Sequence, residues 1–170
     1  RFRSGAGAGL WLTWGADVNH ADHGIERRTP LMACAARGDT QLASALLATG
    51  RCAVDAVDGK GCTALIRAAE ASASCRADPV RQAAARRVAD LLLEHGADPL
   101  AVDAKGRSPL SLAAADARDH RLVARMLAFP KVHADFAHGD DEATVLMLAS
   151  ALPEASSVLR TLLGAPDLAA

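Results

Sequence analysis

The sequence has no tyrosine, and aromatic residues of all kinds supply only 3% of its 170 positions. Sheet-built cores draw on aromatic and β-branched side chains, so a sheet fits this chain poorly. No sign of charge dominates: 19 Lys and Arg stand against 20 Asp and Glu, a formal net charge of −1. The chain as a whole therefore exerts no bulk attraction on nucleic acid or anionic lipid. Uncharged apolar stretches such as Ala143 to Pro153 are about half of what crosses a bilayer, and no membrane span is expected. Cys34, Cys52, Cys62 and Cys75 form no Cys-x-x-Cys pair, which argues against a zinc ribbon or disulfide framework. Free thiols in a reducing compartment are the expectation.

Signatures of catalysis are missing too. There is no Gly-x-Ser-x-Gly elbow for a hydrolase. Gly5, Gly7 and Gly9 alternate with small residues, but no Gly-Lys-Ser/Thr follows them to cradle a phosphate. They read as part of a flexible leader over residues 1–9. His20 and His23 fall in a turn with no companion cysteine, so no zinc site is expected. Arg1 to Gly15 has arginines ahead of Leu10, Trp11 and Leu12, but that apolar run is too short for a signal peptide. Neither an enzyme nor a cofactor is implied.

What the sequence does contain is apolar residue in quantity, 51% of the total. Most of it is Ala and Leu, which favour closely packed helices. One domain with an all-α fold follows.

Its organising signal is a fourfold recurrence of Thr or Ser, one residue, then Leu, with small residues three and four places later. The copies are Thr29-Pro30-Leu31 with Cys34-Ala35, Thr63-Ala64-Leu65 with Ala68-Ala69, Ser108-Pro109-Leu110 with Ala113-Ala114, and Thr144-Val145-Leu146 with Ala149-Ser150. Their spacings are 34, 45 and 36 residues. Each copy starts a helix: the hydroxyl caps free amides, Pro suits the first helical position, and Leu with two small residues makes one tightly packing face. A second apolar helical pattern follows in every unit, for example Val88, Leu91 and Leu92. Gly50 and Gly96 end the first two pairs in positions suited to a left-handed cap.

These motifs resemble the ankyrin repeat, whose pattern runs Asp-x-x-Gly-x-Thr-Pro-Leu-His-x-Ala-Ala through Leu-Leu to Gly-Ala-Asp-x-Asn. The resemblance extends from about Leu10 to Asp167. Gly15-Ala16-Asp17-Val18-Asn19 resembles the close of a truncated preceding repeat, and Asp58 to Thr63 and Asp103 to Ser108 resemble the turn-and-cap segment. The resemblance implies a solenoid of stacked helix-turn-helix units with projecting β-hairpin turns. Behind the leader, the partial repeat spans 10–21, and repeats follow at about 22–57, 58–102, 103–137 and a capping 138–170. The incomplete start implies an array that once extended further.

Departures from the pattern carry information. The family's His after Leu is replaced by Met32, Ile66, Ser111 and Met147, so its hydrogen bonds cannot be carried over. Arg27 and Glu142 stand where the turn glycine belongs, and the first turn is about two residues longer, which predicts irregular hairpins. The second unit carries an insertion, 71–87, between its helices. Asp78-Pro79 inside it reads as a cap and first helical residue, predicting a helix from Pro79 to about Glu94 that projects beyond the stack. Arg76, Arg81, Arg86 and Arg87 make it locally basic. With no aromatics interleaved, it does not read as a nucleic-acid site.

The resemblance implies a scaffold or adaptor that binds another protein through a concave surface of hairpin tips and inner helices. A second reading keeps the array as the regulatory segment of a larger enzyme or channel. The implied contact positions are Glu26 and Arg28, Lys60 and Cys62, Lys105 and Arg107, and Asp140 and Asp141 at the tips, with Arg37, Glu70, Asp116 and Leu152 on the first helices. The early tips lean basic, which suits a partner with an acidic segment. Cys62 is expected to be exposed there and Cys34 buried. Reversing Arg28, Lys60, Lys105 and Arg107 to Glu is expected to weaken binding and spare the fold. A monomer in the cytoplasm or nucleus, without nucleic acid, membrane, metal or cofactor, completes the expectation.

Overall fold

Among the described residues every helix begins where a short polar side chain caps it, and the capping residue alternates in kind along the chain. The computed structural model describes residues 17–22, 24, 26–75, 77–113, 119–128, 137–138 and 143–144. Helices α1 (Pro30–Arg37), α3 (Ala64–Ser74) and α5 (Pro109–Ser111) are capped by hydroxyls. Thr29, Thr63 and Ser108 accept from the amides of Met32, Ile66 and Ser111 at 3.4, 3.3 and 3.0 Å. Helices α2 (Thr40–Ala48), α4 (Pro79–Glu94) and α6 (His120–Leu127) are capped by Asp39, Asp78 and Asp119. Each such cap stabilises its helix by about 1 kcal/mol relative to Ala.

The helices form two rows. α1, α3 and α5 pack side by side in one, α2, α4 and α6 in the other, and each pair closes as a helix-turn-helix unit. One apolar core runs through all three units, from Leu31, Leu46 and Leu47 through Leu65, Val88 and Leu92 to Leu110, Val123 and Met126. The fold is the expected all-α solenoid. Gly50 and Gly96 close the first two outer helices at φ 65° and 86°.

Where the family's histidine is missing, its place is filled in different ways. Met32 accepts the Thr29 amide on sulfur at 3.4 Å, and Ser111 accepts the Ser108 amide on its hydroxyl at 3.0 Å. Ile66 makes no such bond and is fully buried in apolar contact.

Hairpins precede the inner helices and are pinned by a repeated device. Asp22, Asp58 and Asp103 donate their amides to the carbonyls of Arg28, Cys62 and Arg107. In return their Oδ1 atoms accept the amides of those same residues, at 3.1, 3.0 and 2.9 Å. Adjacent hairpins are then joined by Gly59 N–H to Glu26 O at 2.8 Å and Ala104 N–H to Lys60 O at 3.0 Å. At Gly61, where φ is +74°, a Cβ would lie 3.0 Å from the Ala104 amide. Glycine is therefore needed both for the turn and for the close approach of the next hairpin. The hairpin before the fourth unit appears as β1 (Ala137–His138) and β2 (Ala143–Thr144), antiparallel, with Ala137 opposite Thr144. The leader, Trp11, Trp14 and the helices of the fourth unit lie outside the described residues.

The insertion lengthens both helices of the second unit, and α4 spans Pro79–Glu94 as its Asp-Pro start predicted. The exposed part of α4 is its start. Pro79, Val80, Arg81 and Ala83 are exposed, but Ala85 is buried and Arg86 only a quarter exposed.

The first hairpin is irregular, as the sequence predicted. Arg27 occupies the position of Gly61 and Gly106 and adopts φ 47°, a left-handed conformation that costs an L-residue about 1 kcal/mol. Arg27→Gly is expected to raise stability by about 0.5 to 1 kcal/mol in denaturant titration. By contrast, Leu110→Asp puts a carboxylate at a site with no exposure. It is expected to abolish the cooperative melt, because the cost of several kcal/mol rivals the stability of a whole domain.

Candidate functional site

The hairpin tips and inner helices carry two charge clusters. In the first, Glu26 accepts from Lys60 of the next hairpin at 2.6 Å and also pairs with Arg28. The hydrogen bond from Lys60 is the main reason that the Glu26 carboxyl sits below its ordinary range.

The second is a chain of five charges across two units. Asp58 takes both Nε, at 2.9 Å, and Nη2 of Arg67 on its Oδ2. Arg67 reaches on to Glu70 at 2.9 Å, Glu70 accepts from Arg107 at 2.9 Å, and Arg107 closes on Oδ2 of Asp103 at 2.9 and 2.6 Å. Signs alternate along the chain, so each interior member has an opposite charge on both sides. Burial alone would push the Asp58 and Asp103 carboxyls up. Hydrogen bonds from arginine and from turn amides outweigh that in both, and hold them below the ordinary carboxylate range. Arg67 lies almost wholly inside, with 8% of its side chain exposed, and retains its charge because Asp58 and Glu70 surround it.

Beneath this chain Cys62, Ile66, Ala69 and Leu112 form a small apolar cluster. Cys62, expected at an exposed tip, is in fact 1% exposed. It is buried in one cluster with Leu112 of the following unit, and burial pushes its thiol pKa up. Cys34 is buried as expected, and burial, with Asp39 nearby, raises its thiol to about 11.

The structure thus brings Glu26, Arg28 and Lys60 together, and Glu70 with Arg107. Arg37 and Lys105 are exposed and, like Arg27, make no ion pair among the described residues. The expected basic lean of the early tips is largely cancelled, since Arg28, Lys60 and Arg107 already face carboxylates. Reversing Arg107 would also set a new carboxylate against Glu70 and Asp103, so the fourfold reversal is no clean surface probe. Asp116, Asp140, Asp141 and Leu152 lie outside the described residues.

Sequence reasoning missed Arg67, which stands where the other units have Ala33 and Leu112; an arginine between those two was a readable sign of a special contact. It also missed Val57 and Val102. Each precedes a hairpin aspartate, and they are 61% and 51% exposed. They occupy the same register on adjacent hairpins. Among the described residues no group of three or more His, Cys, Asp or Glu is gathered to hold a metal ion, and no helix is long and apolar enough to cross a membrane.

Residues 7–77 match a family model described as ankyrin repeats, in three copies. No curated protein matches the chain.

The ion chain makes stability acid-sensitive. Asp58 and Asp103 have folded pKa values below the unfolded ones, so their contribution is complete above about pH 4, where aspartate is ionised in the unfolded chain. It drains away as pH falls through the lower folded values. Melting temperature is expected to drop steeply below about pH 4, and Asp58→Asn to flatten that drop. The same variant should lose about 3 kcal/mol at neutral pH, because Arg67 is left with a buried, half-compensated charge. An unchanged acid limb in thermal melts of the variant would contradict this assignment.

Proposed function

We propose that this ankyrin-repeat protein binds another protein along its row of hairpins, as a scaffold or adaptor. Ankyrin repeats are generally protein–protein interaction modules, so the open questions are where this array binds and what it prefers. The observation that carries the reading is the pair of exposed valines, Val57 and Val102, in one register on hydrogen-bonded hairpins. Apolar side chains exposed in one register on adjacent hairpins offer a partner a place to bury apolar surface. Lys60 and Lys105 stand at the exposed tips just beyond them, and Arg27 at the tip of the first hairpin.

This pattern suits an extended partner segment that lays apolar side chains on the valines and offers carboxylates to Lys105 and Arg27. The cations steer the approach and guard register, and the buried apolar contacts hold the complex. In this reading the chain works as a monomer and catalyses nothing itself. It uses neither metal nor cofactor. The same reading assigns it to the cytoplasm or nucleus, a reducing setting that suits its four free thiols.

The test compares capture from cell extract by the wild-type chain and by a Val57→Glu, Val102→Glu, Lys105→Glu variant. Proteins retained by the first are expected to be lost by the second, with affinity down at least about tenfold. Circular-dichroism melts should coincide, because all three side chains lie on the surface. Equal retention by both forms would move the site off the hairpin row.

A further inference from the structure

The inserted segment of the second unit touches both of its neighbours. On the side of the third unit, Asp119 caps α6 by accepting the Leu122 amide on Oδ1 at 3.2 Å. Its Oδ2 accepts from the Ser72 hydroxyl at 2.9 Å and from Nε of Arg86. Ser72 and Arg86 both belong to the insertion, and with them in place the Asp119 side chain has no exposure at all. On the side of the first unit, α4 presses on the turn between α1 and α2. A Cβ at Gly38 would lie 3.2 Å from Ala84 Cβ and 3.3 Å from the Ala85 amide. Gly38 also has φ +70°, so that position admits only glycine without strain.

Comparison with the first unit isolates what the insertion adds. Asp39 holds the same capping place in α2, accepts the Leu42 amide at 3.1 Å, and stays partly exposed. Among the described residues no arginine forms an ion pair with it. Asp119 is a buried carboxylate, and a buried carboxylate is tolerated only when charge and hydrogen bonds compensate it. Arg86 supplies the charge and Ser72 a hydrogen bond. Among the described residues the other ion pairs between these units are Arg107 with Glu70 at 2.9 Å, which ties the third hairpin and not α6, and Arg125 with Asp90 at 3.3 Å and with Glu94 at 3.2 Å, which are about half exposed and contribute little.

We propose that the insertion is a conformational latch: Ser72 and Arg86 grip the Asp119 cap and thereby lock the third helix pair onto the second. Opening of α6 is then controlled from a segment of the neighbouring unit. Fraying that begins at the carboxyl-terminal end is stopped at this junction rather than passed along the array.

Amide hydrogen exchange on the whole 170-residue chain tests this. In Arg86→Met, the amides of Leu122, Val123 and Met126 are expected to exchange at least about tenfold faster. Those of α1 and α2 should keep their rates. Arg87→Met, which removes the exposed arginine next door, should change nothing. If Arg86→Met does not fold, Ser72→Ala removes a single hydrogen bond and is read in the same way, with a smaller but still local acceleration in α6. Unchanged exchange in α6, or equal acceleration in every helix, would overturn the latch, and neither result depends on any binding partner.

Discussion

Asp58 and Asp103 each turn one carboxylate oxygen back onto their own hairpin and hold out the other to an arginine. The inward oxygen accepts the amides two and four residues on, which fixes the turn. The outward oxygen ties that turn to the inner helix or, through Arg107 and Glu70, to the unit before. A stacked helix pair contacts only its neighbours, since its apolar stripe is buried against the next pair. Register between pairs must come from such local devices. Once the turns are set, the hairpin-to-hairpin bonds at Gly59 and Ala104 follow, and with them the alignment of Leu31, Leu65 and Leu110 in one core.

Much of this was legible in sequence because it is local. A hydroxyl before Pro-Leu, an aspartate before Pro79 and glycine after an apolar helix each act within one helical turn, and the helices start and stop where those residues stand. Cys62 was misjudged because it is buried in a cluster that includes Leu112, fifty residues away by number and in the next unit. Arg67 escaped for a related reason. Its partners Asp58 and Glu70 are near in sequence, but only the fold shows that all three, with Arg107, share one edge. The position of the histidine in the ankyrin pattern teaches the same point: Met32, Ile66 and Ser111 there give a sulfur acceptor, an apolar contact and a hydroxyl acceptor.

The unequal spacing of the units also has a physical account. An insertion that only lengthened a loop would cost little and do little. Here the extra residues are drawn into α3 and α4, and Ala84, Ala85 and Arg86 rest on the turns to either side. The tallest unit is thus the middle one of the three described, with a helix of 16 residues against 9 and 8 in the outer row.

The pairing of Lys60 with Glu26 changes the arithmetic of recognition at the tips. An incoming carboxylate meets a cation that is already neutralised, so a new pair forms only as an old one is given up. Association there is an exchange of partners, and its yield is a difference between two similar energies. In the proposed binding role, a carboxylate would draw Lys60 away from Glu26 and leave Glu26 with Arg28, so what the tip gains is the difference between two pairs made by one lysine.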